Sequence, residues 1–306
     1  MSSQFIIASN YKRYIVAVNR RSVNYKGTRS LDVLLFLIMS SAWALNYSFL
    51  KFALVYEPPM VALLFRILFA ALFSIPFSYS ALKLLRSIGV AKLFLMSLFN
   101  ISIFMSLWFI GERTESSSLS SILVYTYPIV SVFLSGLLLK ESMSIGRIIG
   151  IIMGFSGIIV VFFNELTVNY NIGLFLLIGS AVSWSAGTIY YKKYLVNADL
   201  GAVNTYQFIF AIPVIMVAAF FYGGFKPLNI NFILITIYMG AIGSSAAYFI
   251  YWSLIKKYRV SHVSPYLFAV PALSILFSVF LNNDHLNILN LAGFALIAAG
   301  IFASSR

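Results

Sequence analysis

The chain has 306 residues, of which 61% are apolar and only 9% charged, with a mean hydropathy of +0.94. A soluble domain of this size carries roughly a quarter of its residues as Asp, Glu, Lys or Arg, so most of the outer surface must face lipid rather than water. The net charge of +13 would suit a nucleic-acid partner, but it arises equally when Lys and Arg collect in the cytoplasmic loops of a membrane protein.

The first thirty residues are polar and basic, with Lys12, Arg13, Arg20, Arg21, Lys26 and Arg29. Residues 1–30 read as a cytosolic tail, either solvated or lying on anionic lipid. Their apolar patches, such as Phe5 to Ala8, are too short for the core of a signal peptide. From there on, apolar spans of about twenty residues recur between short polar breaks. That is the length needed to cross a hydrocarbon core of roughly 30 Å at about 1.5 Å per residue. Ten spans are predicted. The first five are Leu31 to Leu50, Pro59 to Tyr79, Gly89 to Gly111, Ser118 to Leu139 and Ile145 to Phe163. The second five are Ile172 to Tyr191, Ala202 to Tyr222, Phe232 to Leu254, Val263 to Leu281 and the short Ile288 to Phe302.

With the N-terminus inside, 17 of the 21 Lys and Arg residues fall in the tail, at the C-terminus, or in the even-numbered connections and the span ends that flank them. Lys51, Arg113 and Lys226 fall on the opposite side, and Arg66 lies within a span. The asymmetry follows the positive-inside rule and accounts for the charge with no nucleic-acid partner. It places the chain in the cytoplasmic (cell) membrane with both termini in the cytosol.

The chain also resembles itself. Trp43 precedes Lys51 as Trp184 precedes Lys192, and Arg66 and Gln207 follow those lysines at equal distance. Pro128, Glu141, Gly150 and Gly157 recur in the same order and spacing as Pro271, Asp284, Gly293 and Gly300. Each half holds five helices, an odd number, so the second half must enter the membrane upside down. The expected fold is therefore all-α: an integral membrane protein of about ten transmembrane helices, built as two inverted five-helix repeats over residues 31–163 and 172–303. Inverted repeats are a recurrent transporter architecture, with solute held near the midplane.

The segment Trp43-Ala44-Leu45-Asn46-Tyr47-Ser48-Phe49-Leu50-Lys51 resembles the first-helix signature of EamA-type members of the drug/metabolite transporter superfamily. Arg66 to Ala71 resembles that family's second helix, and the run from Pro128 through Lys140, Glu141, Ser142, Met143 and Ser144 to Gly150 and Gly157 also matches. The run recurs around Pro271, so the resemblance covers about residues 31 to 303. Ala44, where the family usually has glycine, and Asn282-Asn283-Asp284, where a Gly-Glu pair is common, depart from it. The resemblance implies alternating access around a central cavity, with the fifth and tenth helices peripheral. It also implies substrates such as amino acids or related small metabolites, often exported.

Several residues are candidates for substrate contact. Trp43, Asn46, Tyr47 and Leu50 share one helix face. An amide in hydrocarbon must find a partner, so Asn46 either borders the substrate path, as the resemblance implies, or bonds a neighbouring helix. Asn100 faces the same choice. Trp184, Thr188 and Tyr191 form the equivalent face of the second half, with Thr188 as apt to bond protein as ligand. Tyr125 and Tyr127 precede Pro128, as Tyr266 and Phe268 precede Pro271, and proline permits a bend there. Arg66 could receive a substrate carboxylate, snorkel outward or hold open backbone carbonyls. Trp108 and Trp252 lie near predicted helix ends, where interfacial belts usually claim tryptophan.

No Asp, Glu or His is predicted in mid-span, which argues against proton coupling through a buried carboxylate and against an enzyme. With no cysteine, and with His262 and His285 in separate predicted loops, no metal or other cofactor is expected. Gly146, Gly150 and Gly154 form a stripe that lets helices approach closely, within the bundle or across a homodimer. Glu141, Ser144, Asp284 and Asn287 stand where helix N-termini need caps. The expected function is a carrier for a small metabolite. The rivals are a passive channel and a non-transporting receptor or scaffold.

Overall fold

The computed structural model describes residues 29–78, 81–115, 117–163, 171–222, 224–227, 229–282 and 287–305. The basic tail up to Thr28, and with it Glu165, Asp284, His285 and Arg306, lies outside the described residues. Every regular element among them is helical. Eight helical rods are long and apolar enough to cross a membrane: α1 Ser30–Tyr56, α2 Pro59–Phe77, α3 Val90–Thr114, α4 Leu119–Leu139, α6 Ile172–Leu195, α7 Leu200–Phe221, α8 Ile230–Lys257 and α9 Val260–Phe277. Two further apolar rods, α5 Ile145–Val161 and α10 Ile288–Ser304, have 17 residues each. That is about 25 Å, short of a full hydrocarbon core. Contacts divide the chain into two units, Met1–Leu35 and Phe36–Arg306. Of the first, only the opening turns of α1 are described; the second holds the remaining helices.

Local chemistry sets the rod ends. Pro59 opens α2, where its missing N–H is harmless. Asn171, Asp199, Asn229 and Asn287 accept from backbone N–H groups at the starts of α6, α7, α8 and α10, and Ser144 does so for α5. These caps satisfy donors that a helix start leaves open. Glu141 differs from expectation. Instead of capping its own helix it accepts from Val260 N (3.1 Å) and Ser261 N (2.9 Å), at the start of α9. The helix start at Val260 also places His262 in the first turn of α9 rather than in a loop. Outward faces carry Phe221, Ile145 and Phe175, each more than 70% exposed, a pattern that suits lipid and not water.

The predicted first span ends too early at Leu50. α1 runs on to Tyr56, because Lys51 turns its amine away to the end of α3. Lys51 Nζ donates to the Glu112 and Glu115 carbonyls at 2.7 and 2.8 Å. Lys192, on α6, does the same for α8, donating to the Ile255 and Tyr258 carbonyls at 2.6 and 2.8 Å. A helix C-terminus leaves its last carbonyls unbonded and carries partial negative charge, and both needs are met by a lysine amine. The acceptors are 143 residues apart in each case. So are two π-helical stretches, Leu98–Ile103 within α3 and Ala241–Ala246 within α8. Lys51→Met and Lys192→Met should each lower unfolding stability in detergent by about 1–3 kcal/mol, the cost of orphaned buried carbonyls. Thermal unfolding of the two variants would check this; an unchanged midpoint in both would discount the lysine caps.

α5 and α10 pack as an antiparallel pair through glycine. A Cβ on Gly157 would stand 2.9 Å from the Gly293 carbonyl oxygen, and one on Gly300 would stand 2.6 Å from that of Gly150. Asn290 Nδ2 adds a bond to the Val161 carbonyl at 2.8 Å. The Gly146, Gly150 and Gly154 stripe is thus spent inside the chain: Gly146 meets Ala303, Gly150 meets Gly300 and Ser304, and Gly154 meets the Phe268 ring.

Candidate functional site

The site is built where α1, α2, α3, α4, α6 and α8 approach one another. Trp43, Asn46, Tyr47, Arg66, Phe104, Met105, Trp108, Val124, Tyr125, Trp184 and Tyr248 line a closed-down cavity of about 20 Å³, room for about one water molecule. Six of the eight predicted contact residues, namely Trp43, Asn46, Tyr47, Arg66, Tyr125 and Trp184, come together here. Helical periodicity does this for α1: positions 43, 46 and 47 lie on one face, and that face meets α8.

Aromatic rings make the walls. Trp108, Phe104, Trp184 and Tyr127 form a column with successive centroid separations of 5.9, 5.0 and 3.8 Å and near-parallel planes. Trp43 stands edge-on to Trp184 at 5.4 Å and touches Tyr248 at 5.5 Å. Tyr47 joins Trp108 at 5.2 Å and Tyr125 at 6.2 Å. Stacked and edge-to-face rings offer rigid apolar area at little entropic cost.

The polar groups gather at the π-helical turn of α8. Widening a helix there disturbs the backbone pairing and brings carbonyls within reach of side chains. The Gly243 carbonyl accepts from Asn46 Nδ2 at 3.2 Å and from Arg66 Nη2 at 3.4 Å. Arg66 Nε donates to Ser244 Oγ at 2.8 Å, and its guanidinium carbon lies 5.5 Å from the centre of the Trp108 ring. Gly243 has to be glycine, because a Cβ there would collide with the Asn46 amide. Arg66 is 1% exposed. It therefore does not snorkel, and it does hold the loosened turn. Its Nη1, the Asn46 Oδ1 and the Trp184 Nε1 are buried with no hydrogen-bond partner in the protein. A buried polar atom left unpaired costs free energy, and these three belong to residues that line the cavity.

Other expectations are redistributed. Thr188 serves as a strut: its hydroxyl pairs with Tyr127 (3.2 Å) and Tyr251 (3.0 Å), whose hydroxyls also bond each other. Tyr266 lies away from the cavity, half-buried between Phe36 and His262 at 6.0 and 5.5 Å. Tyr266 stands five residues before Pro271, whereas Tyr125 stands three before Pro128, so the two tyrosines are not equivalent and meet different partners. Trp108 and Trp252, candidates for the membrane interface, are 5% and 0% exposed. Trp108 lines the cavity, and Trp252 Nε1 donates to Gln207 Oε1 at 3.2 Å, because both helix ends turn towards the bundle axis. Asn100 is wholly buried against Gly187, as Asn46 is against Gly243. The sequence reading missed Phe104, Met105, Val124 and Tyr248, which no polarity or spacing separates from the other apolar residues.

The EamA-like transporter family model matches the chain twice, over residues 30–163 and 171–306. A Bacillus subtilis (strain 168) protein named uncharacterized transporter YvbV is 30% identical over 285 residues, covering 90% of each chain. A probable amino-acid metabolite efflux pump of Escherichia coli (strain K12) is 23% identical over 286 residues, covering 89% of this chain and 93% of that one. A solved crystal structure at 16% identity superposes with a TM-score of 0.74 over 90% of this chain and 97% of the other, a likeness of fold. With the double match, the signature helix of Trp43 to Lys51 and a multi-pass bundle around one aromatic cavity, the chain belongs to the EamA-like transporter family.

Proposed function

We propose that the chain carries a small metabolite of the amino-acid type out of the cell, by alternating access around the aromatic cavity. The observation that carries this reading is the set of three unpaired buried polar atoms, on Arg66, Asn46 and Trp184, inside a ring of aromatic walls. A carboxylate matches the arginine fork and an apolar side group matches the rings, in a conformation opened beyond the roughly 20 Å³ of this one. In this reading Trp43, Asn46, Tyr47, Arg66, Tyr125 and Trp184 bind substrate, with Thr188 and Tyr266 supporting from outside the cavity.

Alternating access follows if residues 31–163 and 172–303 are inverted copies. Several features support that arrangement. The lysine caps and π-helical turns repeat at one spacing. Asn46 packs on Gly243 while Gly187 packs on Asn100, which is one contact with its two members exchanged. The α5–α10 pair joins Gly150 to Gly300 and Gly157 to Gly293 in antiparallel register, as a two-fold between copies requires. Exchanging the conformations of two such halves turns an outward cavity inward.

Proteoliposomes loaded with a panel of labelled amino acids test the function. A carrier gives saturable exchange; unsaturable flux without exchange would point to a channel, and no flux to a receptor or scaffold. Asn46→Ala is expected to slow exchange roughly 2- to 12-fold, the worth of one hydrogen bond, with folded yield unchanged. A loss of folded protein instead would make Asn46 an interhelical tie. The inverted topology, with both termini cytosolic, has a direct check, since the chain holds no cysteine. Arg86→Cys and Lys256→Cys should both label from the cytosolic side; labelling from opposite sides would end the scheme.

A further inference from the structure

The amino-acid sequence predicts no carboxylate within a span, because Glu112 falls just beyond the predicted end of the third at Gly111. The structure places it on α3 with its side chain wholly buried. Its Oε2 accepts from Trp108 Nε1 at 3.2 Å, and Trp108 is a wall of the cavity. Its Oε1 lies 3.9 Å from Lys51 Nζ, whose side chain is 37% exposed. The carboxylate thus stands between the cavity wall and a lysine that reaches solvent.

The lysine cap does not require this acid. At the equivalent position of α8 the residue is Ile255, and Lys192 caps that helix end through carbonyl oxygens. Burying a carboxylate is costly unless it is paired, and the second half of the chain manages without one. Glu112 is therefore a buried titratable group that helix capping leaves unexplained.

We infer that Glu112 is a proton-binding site that couples solute movement to the proton gradient, an inference that rests on the transport reading above. Among the described residues, several titratable and charged groups stand near it. Lys51 and Tyr47 come from α1, Tyr125 from α4 beside Tyr47, and Glu115 from the end of its own helix. Arg66 of α2 lies across the Trp108 ring at 5.5 Å. The facing turn of α6, Gly173 to Leu177, brings no ionisable side chain. The step is a proton transfer alone: a proton passes from water on the Lys51 side to a carboxylate oxygen of Glu112, and no other covalent bond changes. Neutralising Glu112 removes the negative charge behind Trp108 and alters the field at Arg66. Proton and solute then change each other's affinity, and the coupling is reciprocal.

Infrared difference spectra of the full chain in liposomes, stepped between acid and alkaline buffers, read the proton directly. Among the protonated-carboxyl bands, one is expected that Glu57→Gln retains and Glu112→Gln loses; no Glu112-dependent band anywhere in the titration overturns the proposal. Should Glu112→Gln fail to fold, Trp108→Phe serves instead. The band should move to higher frequency as the carboxyl loses its hydrogen bond, and an unmoved band counts against the proposal. For coupling, labelled phenylalanine is the probe, chosen for the aromatic walls. Wild-type liposomes under an imposed pH gradient should accumulate label, whereas Glu112→Gln should exchange it without accumulation. Equal accumulation by both overturns the proposal. Wild-type liposomes that exchange no amino acid at all refute the transport reading instead, and the infrared band still decides whether Glu112 takes up a proton.

Discussion

Arg66→Met is expected to slow labelled amino-acid exchange in proteoliposomes by one to two orders of magnitude while leaving the folded yield near that of the wild type. Removing a hydrogen bond to a charged group costs about 1.5–3 kcal/mol, which converts to roughly 10- to 150-fold in rate at 1.4 kcal/mol per decade. The fold should tolerate the change for specific reasons. Methionine is unbranched and apolar, and so can fill part of the space beside Trp108 and Phe109 that the guanidinium leaves. The Gly243 carbonyl retains Asn46 Nδ2 as a donor, and Ser244 Oγ retains its own bond to the Met239 carbonyl at 2.9 Å. Arg66→Lys should recover little, because the lysine ammonium, though it has three donors, is a point charge without the planar fork that spans the π-helical turn and the cavity together. Wild-type exchange rates in Arg66→Met would reduce Arg66 to a strut and remove the carboxylate contact from the proposed function.

Gly150→Leu should have the largest effect on stability, and the measurement is recovery of monodisperse protein after detergent extraction. Even a methyl group at Gly150 would stand 2.7 Å from the Ser304 backbone nitrogen and from Ser304 Cβ, and would also strike the Gly300 carbonyl. These are mostly backbone atoms of α10, so no rotamer change relieves the clash. The helices must separate, and they then lose the close van der Waals contact that drives association where no hydrophobic effect acts between them. Overpacking of this kind costs about 1–3 kcal/mol or more; alanine should fall within that range and leucine should abolish the folded form. Gly179→Ala is a matched control, because its nearest neighbour is one flexible atom, Leu107 Cδ1 at 3.3 Å. If Gly150→Leu is recovered as well as this control, α5 and α10 are not held together as described.

The helical rods were the most legible feature. Apolar runs bounded by short polar breaks predict ten, and all ten are helical, because hydrocarbon forces each backbone polar group to pair within its own segment. Errors fell where a charged side chain was read as a boundary. Lys51 marks no helix end, since its amine reaches the carbonyls of another helix, and that partner lies 61 residues away. The same rule misplaced Glu112: an acid near a span's end reads as exposed, yet here the turn faces inward.

The candidate site was half legible. Spacing alone places Trp43, Asn46 and Tyr47 on one face, and the rarity of charge in a span singles out Arg66. The second half misled at Thr188 and Tyr266. Symmetry of sequence sets Thr188 opposite Tyr47 and Phe268, not Tyr266, opposite Tyr125, and equivalent positions that carry different side chains meet different partners. Glycine shows this most plainly, with Asn46 against Gly243 in one half and Asn100 against Gly187 in the other.

By itself the amino-acid sequence determined the solvent, the helical class, the family and the doubled pattern. Each of these depends on composition and on residues close together along the chain. Only the tertiary structure decided which aromatic rings enclose the cavity, where the Arg66 guanidinium goes, and that a carboxylate lies buried behind Trp108. Those outcomes turn on which face of each helix meets which neighbour, and in a chain with 61% apolar residues the faces turned to lipid and those turned to protein are written in the same alphabet.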